Sequence, residues 1–126
     1  MIILELPLPP SVNHYYGYRY VPKKGVQVYI KPAGKKYREI VAWKTVGKHV
    51  DPEKNIRITL MYGMPDRRRR DVDNPFKCLF DALTHAGVYP DDSKIFDLHA
   101  TKKLDPKKKG YVLVMLEEID GGYDES

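Results

Sequence analysis

The stretch NIRITLMYGMPDRRRRDVDNPFKCLFDALTHAG, residues 55–87, decides how this chain is read. Its first ten residues alternate, with Ile56, Ile58, Leu60 and Tyr62 set against Arg57, Thr59 and Met61. A period of two predicts a strand with one buried face. A proline-led, heavily charged segment follows, too polar for a core element. From Asn74 the period changes. Phe76, Leu79, Phe80 and Leu83 recur at i, i+3, i+4 and i+7, which predicts a helix with one apolar face. Asn74 suits a cap, Pro75 suits a first helical turn and Gly87 suits a stop.

Working outward from this centre, Ile2–Leu6 reads as a strand ended by Pro7, Pro9 and Pro10. A tyrosine-rich stretch and the alternating residues Val26–Ile30 suggest a hairpin that turns around Pro22 to Gly25. Lys35–Val50 suggests a second helix with Ile40, Trp43, Val46 and Val50 on its apolar stripe and Tyr37 and Val41 off it. After the turn Tyr89-Pro90-Asp91-Asp92, a strand is expected over Ile95–Lys103. A basic turn, Asp105–Gly110, then leads to a last strand at Tyr111–Leu116. The expected fold is α+β, a mixed sheet of about four or more strands with two main helices. One domain, residues 1–126, is expected, with a loose tail over 119–126.

Composition sets outer bounds. The 126 residues carry 42% hydrophobic and 31% charged side chains, which is globular rather than disordered. A chain this short leaves apolar surface uncovered, so a subunit interface is expected. The net charge of +5 suits an anionic partner such as nucleic acid, without requiring one. A lone cysteine, Cys78, excludes an internal disulfide and a cysteine-rich zinc site. The apolar run at the start is too short for a membrane span, and no basic segment precedes it as in a signal peptide. A cytoplasmic protein without membrane attachment is expected.

The chemistry concentrates in Asp71-Val72-Asp73. If extended, these two carboxylates share a face at roughly 6–7 Å and can converge on one hard cation. Mg2+ suits such a pair, with water or phosphate completing its shell. Asp92 follows the helix and lies far from the pair, unless the chain folds back or a second subunit supplies it. Arg67, Arg68, Arg69 and Arg70 can hold phosphate oxygens, and Lys77 can stabilise developing negative charge. Blander readings compete at each point. The aspartates can be surface ion pairs, the arginines a solvated loop, and Lys77 an i, i+4 partner of Asp81. The tyrosine stretch can stack on bases or pack a hairpin.

Two blocks resemble a known family. DRRRRDVDNPFKCLFDALTHAGVYPDDSKI, residues 66–95, resembles the core of the RusA family of Holliday junction resolvases. PPSVNHYY, residues 9–16, resembles that family's opening. Pro75 departs from the usual pattern, and Gly17 to Gly25 matches less closely. The resemblance implies a RusA-like nuclease domain and a homodimer that nicks four-way branched DNA in pairs. It implies Mg2+ as cofactor, with Mn2+ as a substitute, held by Asp71, Asp73 and Asp92, and Lys77 as a further catalytic group. It puts the family's arginine beside the first aspartate on Arg70. From the residues themselves, DNA contacts are also expected at Arg67, Arg68 and Arg69, and at Asn13, Tyr15 and Tyr16 of the opening. It also implies that Asp92 does join the pair. Two other functions stay open: a metal nuclease acting on other branched or single-stranded DNA, and a non-catalytic, basic DNA-binding module.

Overall fold

The computed structural model describes residues 1–67 and 74–119, with the side chains of Asn74 and Pro75 outside that description. Its centre is the alternating strand. β4, Asn55–Met64, buries Ile56, Ile58, Leu60 and Tyr62 completely on one face. It pairs antiparallel with β6, Tyr111–Ile119, and parallel with β5, Ile95–Leu104. The opening strand β1, Ile2–Leu6, adds antiparallel to β6, giving the order β1-β6-β4-β5. The mixed α+β sheet with two main helices is thus as the pattern predicts.

Parallel neighbours need a crossover. The crossover is α3, Asn74–His85, which buries Cys78, Leu79, Ala82 and Leu83 and packs Phe76 and Phe80 against the core. Its direction is fixed at both ends. Phe76, in the first turn, stacks on Tyr62 near the end of β4, with ring centroids 6.0 Å apart. Beyond the last turn, Val88 O accepts from Val50 N–H at 2.9 Å, just ahead of the start of β4. So α3 runs antiparallel to β4. Gly87 ends the helical run at φ +79°, a left-handed conformation open to glycine. The expected cap at Asn74 lies outside the described residues.

The second helix differs from its expected form. α2 spans Pro32–Lys44 and buries Gly34, Tyr37 and Val41. The two residues that fell off the expected stripe are therefore the buried ones. Trp43 and Val46 are 76% and 73% exposed. Val50 is buried, but from the loop after the helix. The packing partner decides here: the Tyr37 hydroxyl reaches back to donate to Pro7 O at 2.8 Å, which turns that side of α2 inward.

A hairpin stands apart from the sheet. The short helix α1, Val12–Tyr15, leads directly into β2, Tyr16–Val21, which pairs antiparallel with β3, Gly25–Ile30. The turn lies where the sequence puts it. β6 runs three residues past Leu116, and Ile119 pairs with Asn55, so the expected loose tail does not begin at 119. The remainder of that tail, 120–126, lies outside the described residues.

Candidate active site

Five expected site residues, Arg68, Arg69, Arg70, Asp71 and Asp73, lie outside the described residues. Of those that are described, Lys77 and Asp92 lie at the two ends of α3.

At its first end, Lys77 is exposed in the opening turn, and its Nζ stands 4.8 Å from the centroid of the Tyr16 ring. That contact holds the ammonium by attraction to the ring face. Lys77 does not take Asp81 as its partner. Asp81 binds Arg38 through two bonds, Nε to Oδ2 at 2.8 Å and Nη2 to Oδ1 at 3.0 Å. The Tyr15 hydroxyl also donates to Asp81 Oδ2. Burial pushes the Asp81 carboxyl upward, but the Arg38 and Tyr15 hydrogen bonds outweigh it and hold the pKa below the ordinary carboxylate value. The adjacent Cys78 thiol is pushed up to about 11 by burial, so it stays protonated and unreactive.

Past the other end of α3, Asp92 opens a single 3-10 turn, Asp92–Lys94. Asp91 caps that turn by accepting from Ser93 N–H at 3.1 Å. Both aspartates are exposed. The Asp92 carboxyl is raised, first by its hydrogen bond with the Asp91 carboxyl and then by burial. Asp91 is lowered, first by the Ser93 backbone N–H. Two carboxyls this close repel when both are ionised, and a hard cation would relieve that repulsion. Among the described residues, no group of three or more His, Cys, Asp or Glu converges.

Ile95 pairs with Ile56, so Asp92 sits at the end of the sheet where β4 begins. α3 begins at the opposite end. The structure therefore brings Lys77 and Tyr16 together and keeps Asp92 apart from them.

The expected DNA contacts divide. Arg67 is exposed and, with Lys108, lines an open cleft of about 480 Å³ at the far end of β4. Asn13 is exposed on α1, and its main-chain oxygen accepts from Lys31 Nζ at 2.8 Å. Tyr15 and Tyr16 are buried at 0% and 8% exposure. Their rings pack against each other at 4.7 Å, so neither offers a face to a base in this arrangement. The structure puts Tyr18 and Tyr20 outside instead, at 55% and 72%. Sequence reading missed the Arg38–Asp81–Tyr15 cluster, and no local signal links residues so far apart. It also missed Asp105, whose carboxylate accepts from the N–H groups of Lys107, Lys109 and Gly110 and so ties down the basic turn.

A mixed sheet with a β4–α3–β5 crossover, a lysine at the helix start and exposed acids beyond its end suit a phosphodiester-directed enzyme. Comparison with known proteins gives the class. Residues 7–117 match the family described as Endodeoxyribonuclease RusA. The crossover junction endodeoxyribonuclease of phage 82 is 39% identical over 85% of each chain. That of phage HK97 is 34% identical over 90% of this chain and 94% of its own. That of Aquifex aeolicus (strain VF5) is 32% identical over 90% of this chain and 86% of its own. The chain belongs to the RusA endodeoxyribonuclease family.

Proposed function

We propose that this chain is a divalent-metal-dependent endonuclease that resolves four-way DNA junctions by paired phosphodiester hydrolysis, acting as a dimer. The observation that carries this reading is the family match over residues 7–117, with relatives named for crossover junctions. Asp71, Asp73 and Asp92 would hold Mg2+, or Mn2+ in its place. When bound, such a cation supplies an activated water and neutralises charge building on the phosphate.

The other groups act directly on DNA. Lys77, steadied over the Tyr16 ring, offers its ammonium to the oxygen that gains negative charge in the transition state. Arg67 and Lys108, along their shared cleft, hold backbone phosphates. Asp91 fixes the turn that carries Asp92.

The position of Asp92 supports completion of each site across the dimer. The 12-residue α3 is about 18 Å long and separates the two ends within one chain. A partner subunit related by two-fold symmetry supplies Asp92 to the Asp71–Asp73 pair. The two sites so formed match a branch that itself has two-fold symmetry.

The test offers the protein, with Mg2+, a synthetic four-way junction, a flap and a plain duplex. Paired nicks across the junction are expected, and stronger cutting of the flap would point to a different metal nuclease. The Asp73→Asn variant should bind the junction as tightly as the parent or more so, and cut none of it. Unchanged cleavage in that variant sinks the catalytic assignment. Junction binding by the parent with no cleavage under Mg2+ or Mn2+ would make the chain a binding module.

A further inference from the structure

The β2–β3 hairpin has two unlike faces. Directly opposed residues of an antiparallel pair share a face. On one face Gly17 opposes Tyr29 and Arg19 opposes Gln27. That face is filled by the hairpin itself. The Tyr29 ring lies over Gly17, where an added Cβ would come within 2.2 Å of it, and the Arg19 guanidinium stands 5.5 Å from the same ring. On the other face Tyr18 opposes Val28 and Tyr20 opposes Val26. All four are bare, at 55%, 60%, 72% and 67% exposure. This face is rooted at Tyr16, the ring that holds Lys77. From Tyr16 to Tyr20 it extends about 13 Å, at the usual strand rise.

A two-stranded hairpin is marginal alone, and four apolar side chains on one open face call for an occupant. Charge selects it. The sequence has no acidic residue between Glu5 and Glu39, while the hairpin carries Arg19, Lys23 and Lys24. A second copy would bring like charges together. A polyanion with exposed aromatic surfaces meets both features, and DNA opened at a branch is such a partner. We propose that this hairpin is a DNA-engaging arm, in which Tyr18 and Tyr20 stack on bases unpaired at the branch while Arg19, Lys23 and Lys24 hold the flanking phosphates. The proposal rests on the nuclease reading above and assigns the aromatic contacts to residues other than Tyr15 and Tyr16.

The test uses the full chain and a four-way junction carrying 2-aminopurine at the crossover, with divalent cations chelated so that no strand is cut. The parent is expected to prefer the junction to duplex and to change the 2-aminopurine emission. Tyr18→Ser and Tyr20→Ser should each weaken junction binding roughly tenfold, the loss expected for one base–aromatic stack, and leave duplex binding unchanged. Tyr18→Phe and Tyr20→Phe, which keep the ring, should bind as the parent does. The double change Lys23→Ala with Lys24→Ala should weaken both DNAs and flatten the salt dependence. Serine variants that bind the junction and change emission like the parent overturn the proposal. So do serine variants that sediment as a smaller species than the parent, because the face is then an interface between copies. A parent that does not prefer the junction sinks the junction reading itself, and the arm with it.

Discussion

Asp81 sits on α3 and Asp92 in the turn that follows it, yet their environments are opposite. The Asp81 carboxylate is half-buried, meets the Arg38 fork at 2.8 and 3.0 Å, and accepts the Tyr15 hydroxyl. Its charge is answered within the chain, and its pKa ends below the ordinary value despite burial. Asp92 is exposed, and its strongest neighbour is another carboxyl, so its pKa moves up. The difference separates a carboxylate whose charge is answered within the chain from one whose charge, under the proposed function, a bound cation would answer. It also ties the hairpin to the core, since Tyr15 lies one residue before β2.

The largest effect should come from Asp92. Asp92→Asn is expected to abolish junction cleavage while stability moves by no more than about 0.5 kcal/mol, as for an exposed substitution. Mixed dimers sharpen the point. Subunits carrying Asp73→Asn and subunits carrying Asp92→Asn are inactive alone. If each site draws Asp92 from the partner, the mixed dimer holds one site with both aspartates intact, and single nicks return. If each site lies within one chain, every site in the mixed dimer lacks one aspartate and no nicking returns. Cleavage by Asp92→Asn at the parent rate would break the comparison outright.

Asp81 should behave in the reverse way. Asp81→Asn leaves the Arg38 guanidinium short of its partner and should lower stability by about 1–3 kcal/mol, read from urea unfolding. Cleavage per folded molecule should persist. The sign with pH follows from the lowered pKa. The stabilisation is fully present above the unfolded carboxyl value, about 3.9, and fades as pH falls through the lower folded value. The gap between parent and variant should therefore close in acid. Lost cleavage with unchanged stability would place Asp81 in the active site instead.

Much of this was legible in the sequence where one period runs uninterrupted. β4 and α3 announce themselves because their buried side chains repeat at two and at 3.6 residues. α2 does not, because its buried face is narrow. Tyr37 and Val41 are inward, while Trp43 and Val46, which supply the apolar stripe, are exposed. Large apolar side chains outside are common enough to mislead a pattern reading. The tyrosines fail for a different reason. In a strand, one step of register exchanges the two faces. Nothing local says that Tyr29 folds over Gly17 and so leaves Tyr18 and Tyr20 bare. Of the expected site, Asp-X-Asp and Lys77 are readable as a motif, and Asp71 and Asp73 lie outside the described residues. Asp81 was ambiguous because its partner Arg38 is 43 positions away, whereas Lys77 is one helical turn away.

The smallest effect should fall on Asp91, and it tests the acidic pair directly. Asp92 is raised, so it keeps its proton to a higher pH than an ordinary carboxyl. The ionised form that can hold a cation appears only above that point, and cleavage should rise with pH through it. Asp91→Asn keeps a side-chain oxygen able to accept from Ser93 N–H, and so keeps the turn, but removes the neighbouring charge. Asp92 then ionises at lower pH. The acidic limb of the cleavage profile should move downward, with faster cutting on that limb and an unchanged plateau. A profile that does not move would mean that Asp91 does not govern Asp92. A lowered plateau would mean that Asp91 itself holds the cation, and the contrast with Asp81 would then extend to both members of the pair.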